Sequence, residues 1–202
     1  MKLRITYNAP VVLTFTLAAV AVFLINSAVP STRVWTTASP HLDGVPSYVS
    51  LVGFILGHES WEHLIGNFML ILLLGPILEE RHGSVKLLAM IVVTALVTGL
   101  INLVLASNGL MGASGIAFMM ILLASMANVR GGEIPLTFIA VAVIYLGGEI
   151  VKSFRADHVS HMAHLIGGAV GAMFGFLAAG RRGRKNEPVK AKAPLDLAKL
   201  KI

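Results

Sequence analysis

Apolar residues in this chain gather into six blocks, at 10–28, 61–78, 85–106, 113–128, 134–150 and 161–179. Each holds about 16–22 residues. As helices rising about 1.5 Å per residue they would be roughly 24–33 Å long, close to the hydrocarbon thickness of a bilayer, about 30 Å. Turn-forming residues separate them: Pro30-Ser31, Arg81-His82-Gly83-Ser84, Ser107-Asn108-Gly109 and Arg130-Gly131-Gly132. A backbone in hydrocarbon must satisfy its own hydrogen bonds, so the blocks are expected as helices. The chain is 56% hydrophobic and 13% charged, against about 45–50% and about 25% in a soluble domain. The fold class expected is therefore an all-α integral membrane protein with six transmembrane helices in residues 1–180. The first block follows Lys2 and Arg4 as a signal peptide would, but five further spans and the poor cleavage site at Ala28-Val29-Pro30 argue for an uncleaved helix.

Charge sets the orientation. The net charge is +6, and eight of the 16 Lys and Arg fall between Arg181 and Lys201, directly after the last apolar block. That placement marks a basic cytoplasmic flank rather than a nucleic-acid surface. With the N-terminus inside, 13 Lys and Arg lie on the inner side and only Arg33, Lys152 and Arg155 on the outer side. Both termini are thus expected in the cytoplasm, the protein in a bacterial inner membrane, and residues 181–202 as a mostly disordered tail with a surface-seeking end at 195–202. There is no cysteine, which excludes disulfides, a thiolate nucleophile and cysteine-ligated metal. The loop 31–60 is long, and its apolar stretch 49–56 is too short to span, so it is expected in the interface or packed on the bundle.

Polar side chains inside the spans carry the functional signal, because they are costly there. The second block carries His63 and Asn67, the fourth opens with Ser114, and the sixth opens with His161 and His164. Depths follow from the basic residue that ends each helix. Counting back from Arg130, Ser114 lies about 24 Å in; from Arg181, His164 lies about 25 Å in; from Arg81, Asn67 and His63 lie roughly 21 and 27 Å in. All four fall at one level, a few ångströms below the outer surface. His63 and Asn67 are spaced i, i+4 and share a helix face. His164 continues into a stripe of Gly167, Gly171 and Gly175 that lets another helix approach closely.

Each residue alone has a plainer explanation. A serine before an apolar run caps a helix, a membrane asparagine joins helices, and histidines at helix ends, as His158 and His161 are read, sit in the interface. Together they supply a hydroxyl nucleophile, an imidazole base and donors for an oxyanion, including the Ser114 backbone N–H in a first helical turn. No carboxylate is placed to orient His164, since Asp157 precedes its helix and Glu149 ends another; the arrangement reads as a Ser–His dyad.

The stretches GHESWEHLIGNF (57–68), the Glu-x-Arg of LEERHG (78–83), GASG (112–115) and AHLIGG (163–168), in this order, resemble the rhomboid family of intramembrane serine proteases over about residues 50–180. The resemblance implies Ser114 as nucleophile, His164 as general base, and His63, Asn67 and the Ser114 N–H as oxyanion hole. It also implies Gly112 and Gly115 as a tight lead into the nucleophile's helix, Gly167 as a structural glycine at the site, and Glu79 with Arg81 as a structural pair at the cytoplasmic end of the second helix. The expected protein is a six-helix rhomboid-like hydrolase that cleaves transmembrane segments of other proteins, without cofactor, metal or nucleic acid. Glu62 departs from the family and is expected to face water at the helix start. No large extra domain accompanies the bundle, so the minimal six-helix form is expected.

Three rival readings compete with this one. A non-catalytic relative would bind transmembrane helices without turnover, against which stand the intact Ser114 and His164. His58-Glu59 and His63 suggest a metalloprotease, but those histidines are spaced i, i+5, about 140° apart on a helix, so they would not face one metal. A transporter would show paired interrupted helices, and none are found. The segment 152–160 is expected to gate the site.

Overall fold

The computed structural model describes residues 6–105, 109–126, 134–152 and 161–185. Among these the chain is all-helical, with one isolated antiparallel bridge between Ala38 and Leu110. The helices are α1 Pro10–Ala28, α2 Val45–Gly53, α3 Trp61–His82, α4 Ser84–Leu105, α5 Ser114–Ser125, α6 Leu136–Lys152 and α7 His161–Lys185, with short 3-10 turns at Pro30–Trp35 and Phe54–Leu56. α1, α3, α4 and the 161–178 part of α7 are long and apolar enough to cross a membrane. Their outward faces are apolar: Leu17, Ile65, Leu73, Ile77, Val104 and Leu177 are all exposed. In water such a surface would be an aggregation patch; in lipid it is the solvated face.

All six apolar blocks are helical where described, with shifted ends. α3 runs four residues beyond 78, because the polar sequence Glu79-Glu80-Arg81-His82 still forms helix before Gly83 stops it at φ 85°. α7 continues through Lys185, five residues into the segment expected as tail. The apolar stretch at 49–56 packs on the bundle. It belongs to α2 and the turn after it, packs Leu51, Phe54 and Ile55 into the core, and crosses α4 so closely that a Cβ at Gly99 would meet the Leu51 carbonyl oxygen.

α5 lies at the centre. Eight of its twelve residues are buried, and Met119, Met120 and Leu122 are fully so. At about 1.5 Å per residue it extends only about 18 Å, well short of the hydrocarbon core. α7 packs along one side of it, α3 along another, and α6 forms an outer flank through Phe138 on Phe176 and Leu146 against Gly168.

One carboxylate ties three helices together at the far end from the candidate site. α1 opens at Pro10 with Ala9 in the left-handed region and no cap from its own side chains. Its free N–H groups at Val11 and Val12 donate instead to Glu79 Oε1 and Oε2, both at 3.0 Å, and Ser84 Oγ at the head of α4 donates to Oε1 at 2.7 Å. An anion on first-turn N–H groups is favoured by both hydrogen bonding and the helix dipole.

Candidate active site

The approach to α5 is shaped by the loop that precedes α3. Ala38 and Leu110 exchange backbone hydrogen bonds of 2.8 and 3.0 Å, and the Gly112 N–H donates to the Phe54 carbonyl at 3.0 Å. Gly112 then takes φ 123°, a conformation open to glycine and strained for other residues. Helix α5 starts two residues later. Ser114, half-buried, is its first residue, so its backbone N–H belongs to the first-turn donors that have no partner inside the helix.

α3 brings His63 and Asn67 to this point. Ser60 caps the helix, accepting from the His63 N–H at 3.2 Å, and Glu62 is exposed in the same first turn. A Cβ built on Gly112 would lie 2.7 Å from His63 Nε2 and 3.6 Å from Asn67 Nδ2. Both side chains therefore converge on the backbone two residues before Ser114.

α7 brings His164 from the other side. A Cβ at Gly167 would strike the Gly115 carbonyl oxygen, one at Gly171 that of Met119, and one at Gly175 the Met126 side chain. The glycine stripe thus carries α7 onto α5 at backbone contact. The Ala163 carbonyl oxygen lies 3.1 Å from a Cβ position at Gly115. His164 is buried, its ring stacked on Phe118 with centroids 4.4 Å apart and planes 4° from parallel. Phe118 stands one turn along α5 from Ser114 and meets Tyr145 of α6 edge-on at 5.9 Å. His161, expected as interfacial, is instead buried, its ring edge-on to His164 at 6.3 Å, because the i, i+3 spacing puts both on one face of α7.

Behind this junction a cavity of about 100 Å³ is lined by Thr98 and Asn102 of α4, Leu110, and Met162, Ala163 and Ile166 of α7. Thr98 Oγ1 and Asn102 Nδ2 are buried without a hydrogen-bond partner among the described residues.

His58 is the residue that sequence reasoning misplaced. It precedes α3 rather than lying on it, so the helical angle used to separate it from His63 does not apply. It is only 1% exposed, its ring lies 5.0 Å from that of His63, and its Nε2 is 3.1 Å from Asn67 Nδ2. Burial, and after it the neighbouring His63, pushes His58 down from the ordinary 6.5 to about 4, against a smaller opposing pull from the Leu56 carbonyl. Phe118 was likewise not singled out, since one aromatic in an apolar helix gives no signal. Among the described residues, no group of three or more His, Cys, Asp or Glu gathers to hold a metal ion. Asp157, His158 and all but the first residue of the expected gate at 152–160 lie outside the described residues.

The fold and this junction define a helical membrane protein in which His63 and Asn67 of α3 approach Gly112, and His164 of α7 stacks on Phe118, around the first turns of a short central helix that opens with Ser114. The family profile described as "Rhomboid domain" matches residues 46–181, and the chain belongs to the rhomboid family. It is 31% identical over 131 residues to rhomboid-related protein 1 of Caenorhabditis elegans, covering 59% of this chain and 37% of that one. To rhomboid protease GlpG of Haemophilus influenzae it is 23% identical over 129 residues, 62% of this chain and 67% of the relative. To rhomboid-like protein 11, chloroplastic, of Arabidopsis thaliana it is 26% identical over 148 residues, 65% and 53% respectively. The matched regions thus span between about a third and two thirds of these relatives.

Proposed function

We propose that this chain is an intramembrane serine endopeptidase that cleaves transmembrane segments of other membrane proteins. The observation that carries the reading is the convergence at the start of α5: His63 and Asn67 on Gly112, α7 on Gly115, and His164 on Phe118. In this mechanism His164 accepts the Ser114 hydroxyl proton as Oγ attacks the peptide carbonyl, and the proton passes to the leaving amine. His63, Asn67 and the Ser114 N–H donate to the oxyanion; elsewhere one such donor has been worth about 2.7–4 kcal/mol. Water then hydrolyses the ester; the mostly apolar cavity beside Ala163 offers it two buried polar partners, Thr98 Oγ1 and Asn102 Nδ2.

The same reading has six transmembrane helices, with the head of α5 a few ångströms below the outer surface and α2 held at the outer level. Both termini face the cytoplasm of a bacterial inner membrane, and residues beyond α7 form a basic tail. The non-catalytic alternative, a rhomboid-like protein that binds transmembrane helices, keeps the fold and lacks turnover.

The deciding experiment compares purified wild type with Ser114→Ala in liposomes on a designed transmembrane substrate, with folding checked for both. Cleavage by wild type that vanishes in the variant is the expected result. Equal cleavage would assign the activity to another nucleophile. If neither cleaves and a serine-directed phosphonate probe fails to label wild type at Ser114, the non-catalytic reading replaces this one.

A further inference from the structure

His58 is a buried histidine in which both ring nitrogens are committed. Nδ1 lies 3.2 Å from the Leu56 carbonyl oxygen and Nε2 3.1 Å from Asn67 Nδ2. A carbonyl oxygen only accepts, so Nδ1 carries the proton; in a neutral ring Nε2 then only accepts. The group facing it from Asn67 must therefore be the NH2 and not the carbonyl. An asparagine amide has nearly the same shape in its two flipped orientations, and its hydrogen-bond partners decide between them. With one N–H held by His58, the second hydrogen of the same NH2 remains to be donated elsewhere, and Nδ2 faces the Gly112 backbone at 3.6 Å from a Cβ position. The flipped amide would set a carbonyl oxygen there, against the developing negative charge.

We infer that His58 is a positioning residue: as the neutral, Nδ1-protonated imidazole it holds the Asn67 amide so that an N–H points into the site. The inference rests on the reading of Asn67 as an oxyanion donor. His58 acts through Asn67 and touches no reacting atom. Its ring is itself fixed, edge-on to His63 at 5.0 Å and tilted on Phe68 at 5.7 Å. The partners come from two levels of the chain, with Leu56 in the turn after α2 and Asn67 in the second turn of α3. The relay therefore links the loop before α3 to the site.

The test uses the full chain in liposomes with the transmembrane substrate, comparing His58→Gln and His58→Met alone and combined with Asn67→Ala. Glutamine keeps an acceptor near the Nε2 position, whereas methionine has similar size and offers none of comparable strength. Removing an oxyanion donor outright costs about 100–1,000-fold in kcat, so misorienting one is expected to cost about tenfold or more in His58→Met with KM within twofold. His58→Gln should stay within threefold of wild type. In the Asn67→Ala background, His58→Met should cause no further loss, which a general packing role would not produce. An equal loss with and without Asn67, or a kcat for His58→Met matching wild type, overturns the inference. If His58→Met does not fold, His58→Gln decides: folded but below a tenth of wild-type kcat, it overturns the inference. Should wild type itself neither cleave nor take the phosphonate probe, the protease reading fails and this inference falls with it; cleavage by wild type without the coupling sinks the inference alone.

Discussion

Gly112 meets two demands at once, a backbone at φ 123° and room for His63 Nε2 at 2.7 Å from where a Cβ would stand. Gly112→Ala would strain the backbone by about 1–2 kcal/mol and displace the imidazole. We expect kcat to drop about 100-fold, the size of losing an oxyanion donor, while thermal unfolding shifts by only a few degrees; retention of activity within threefold would contradict the geometry. His58 gives a second prediction, in pH. The unfolded chain takes a proton on this ring near the ordinary 6.5, and the folded chain not until about 4. Between those values the unfolded state binds more protons, so the His58 contribution to stability is complete above 6.5 and is lost as pH falls toward 4. Unfolding temperatures measured from pH 7 to pH 4 should fall more steeply in wild type than in His58→Gln, whose side chain does not titrate; parallel curves would show that His58 is not buried neutral. His58 also marks the limit of what the sequence discloses. Ser114, His63, Asn67 and His164 stood out because polar groups in apolar blocks are costly. His58 lies in a polar loop stretch where a histidine is ordinary, and only the folding of that loop back onto α3 gives it a partner.

At the level of helices, apolar composition and block length anticipated where the described helices lie, but not what happens where helices end. No local pattern signalled that α1 is capped from α3, since the chain positions are 68 residues apart. The short stretch at 49–56 was ambiguous for a similar reason: it is too short to span, and only the crossing at Gly99 shows that it packs on the bundle. The Glu79 cap yields a prediction. In Glu79→Gln one oxygen becomes an NH2, which cannot accept from both Val11 and Val12 N–H groups. Hydrogen bonds to a charged group are worth about 1.5–3 kcal/mol each, so the variant should lose about that much in unfolding titrations in mixed micelles. Cleavage per folded molecule should stay near wild type, because Glu79 lies at the opposite end of α3 from His63. An unchanged unfolding midpoint would mean that the cap does not hold α1 in place.

For the molecule as a whole, the central fact is a serine at the head of a helix only about 18 Å long, enclosed by helices whose outer faces are apolar. Non-helical backbone within a membrane is tolerable only where protein or a wet cavity surrounds it, and in the segment leading into Ser114 the residues Leu110, Gly112 and Ala113 are buried. In the protease reading a transmembrane substrate meets the opposite constraint: its carbonyls are bonded within its own helix, and none would be open to Ser114 until that helix unwinds. If unwinding precedes attack, residues that weaken the substrate helix should raise the rate by up to their helix cost. For glycine that cost is about 1 kcal/mol and for proline about 3 kcal/mol, setting ceilings of about 5-fold and about 100-fold on the gain. The measurement maps the cleavage site in one transmembrane substrate, places Gly or Pro within one turn of it, and compares rates in liposomes. The same substitutions in a short soluble peptide, which has no helix to open, should give no such gain. Cleavage in liposomes at rates that never rise would show that the protein meets its substrate already unwound, or at a site outside the bilayer.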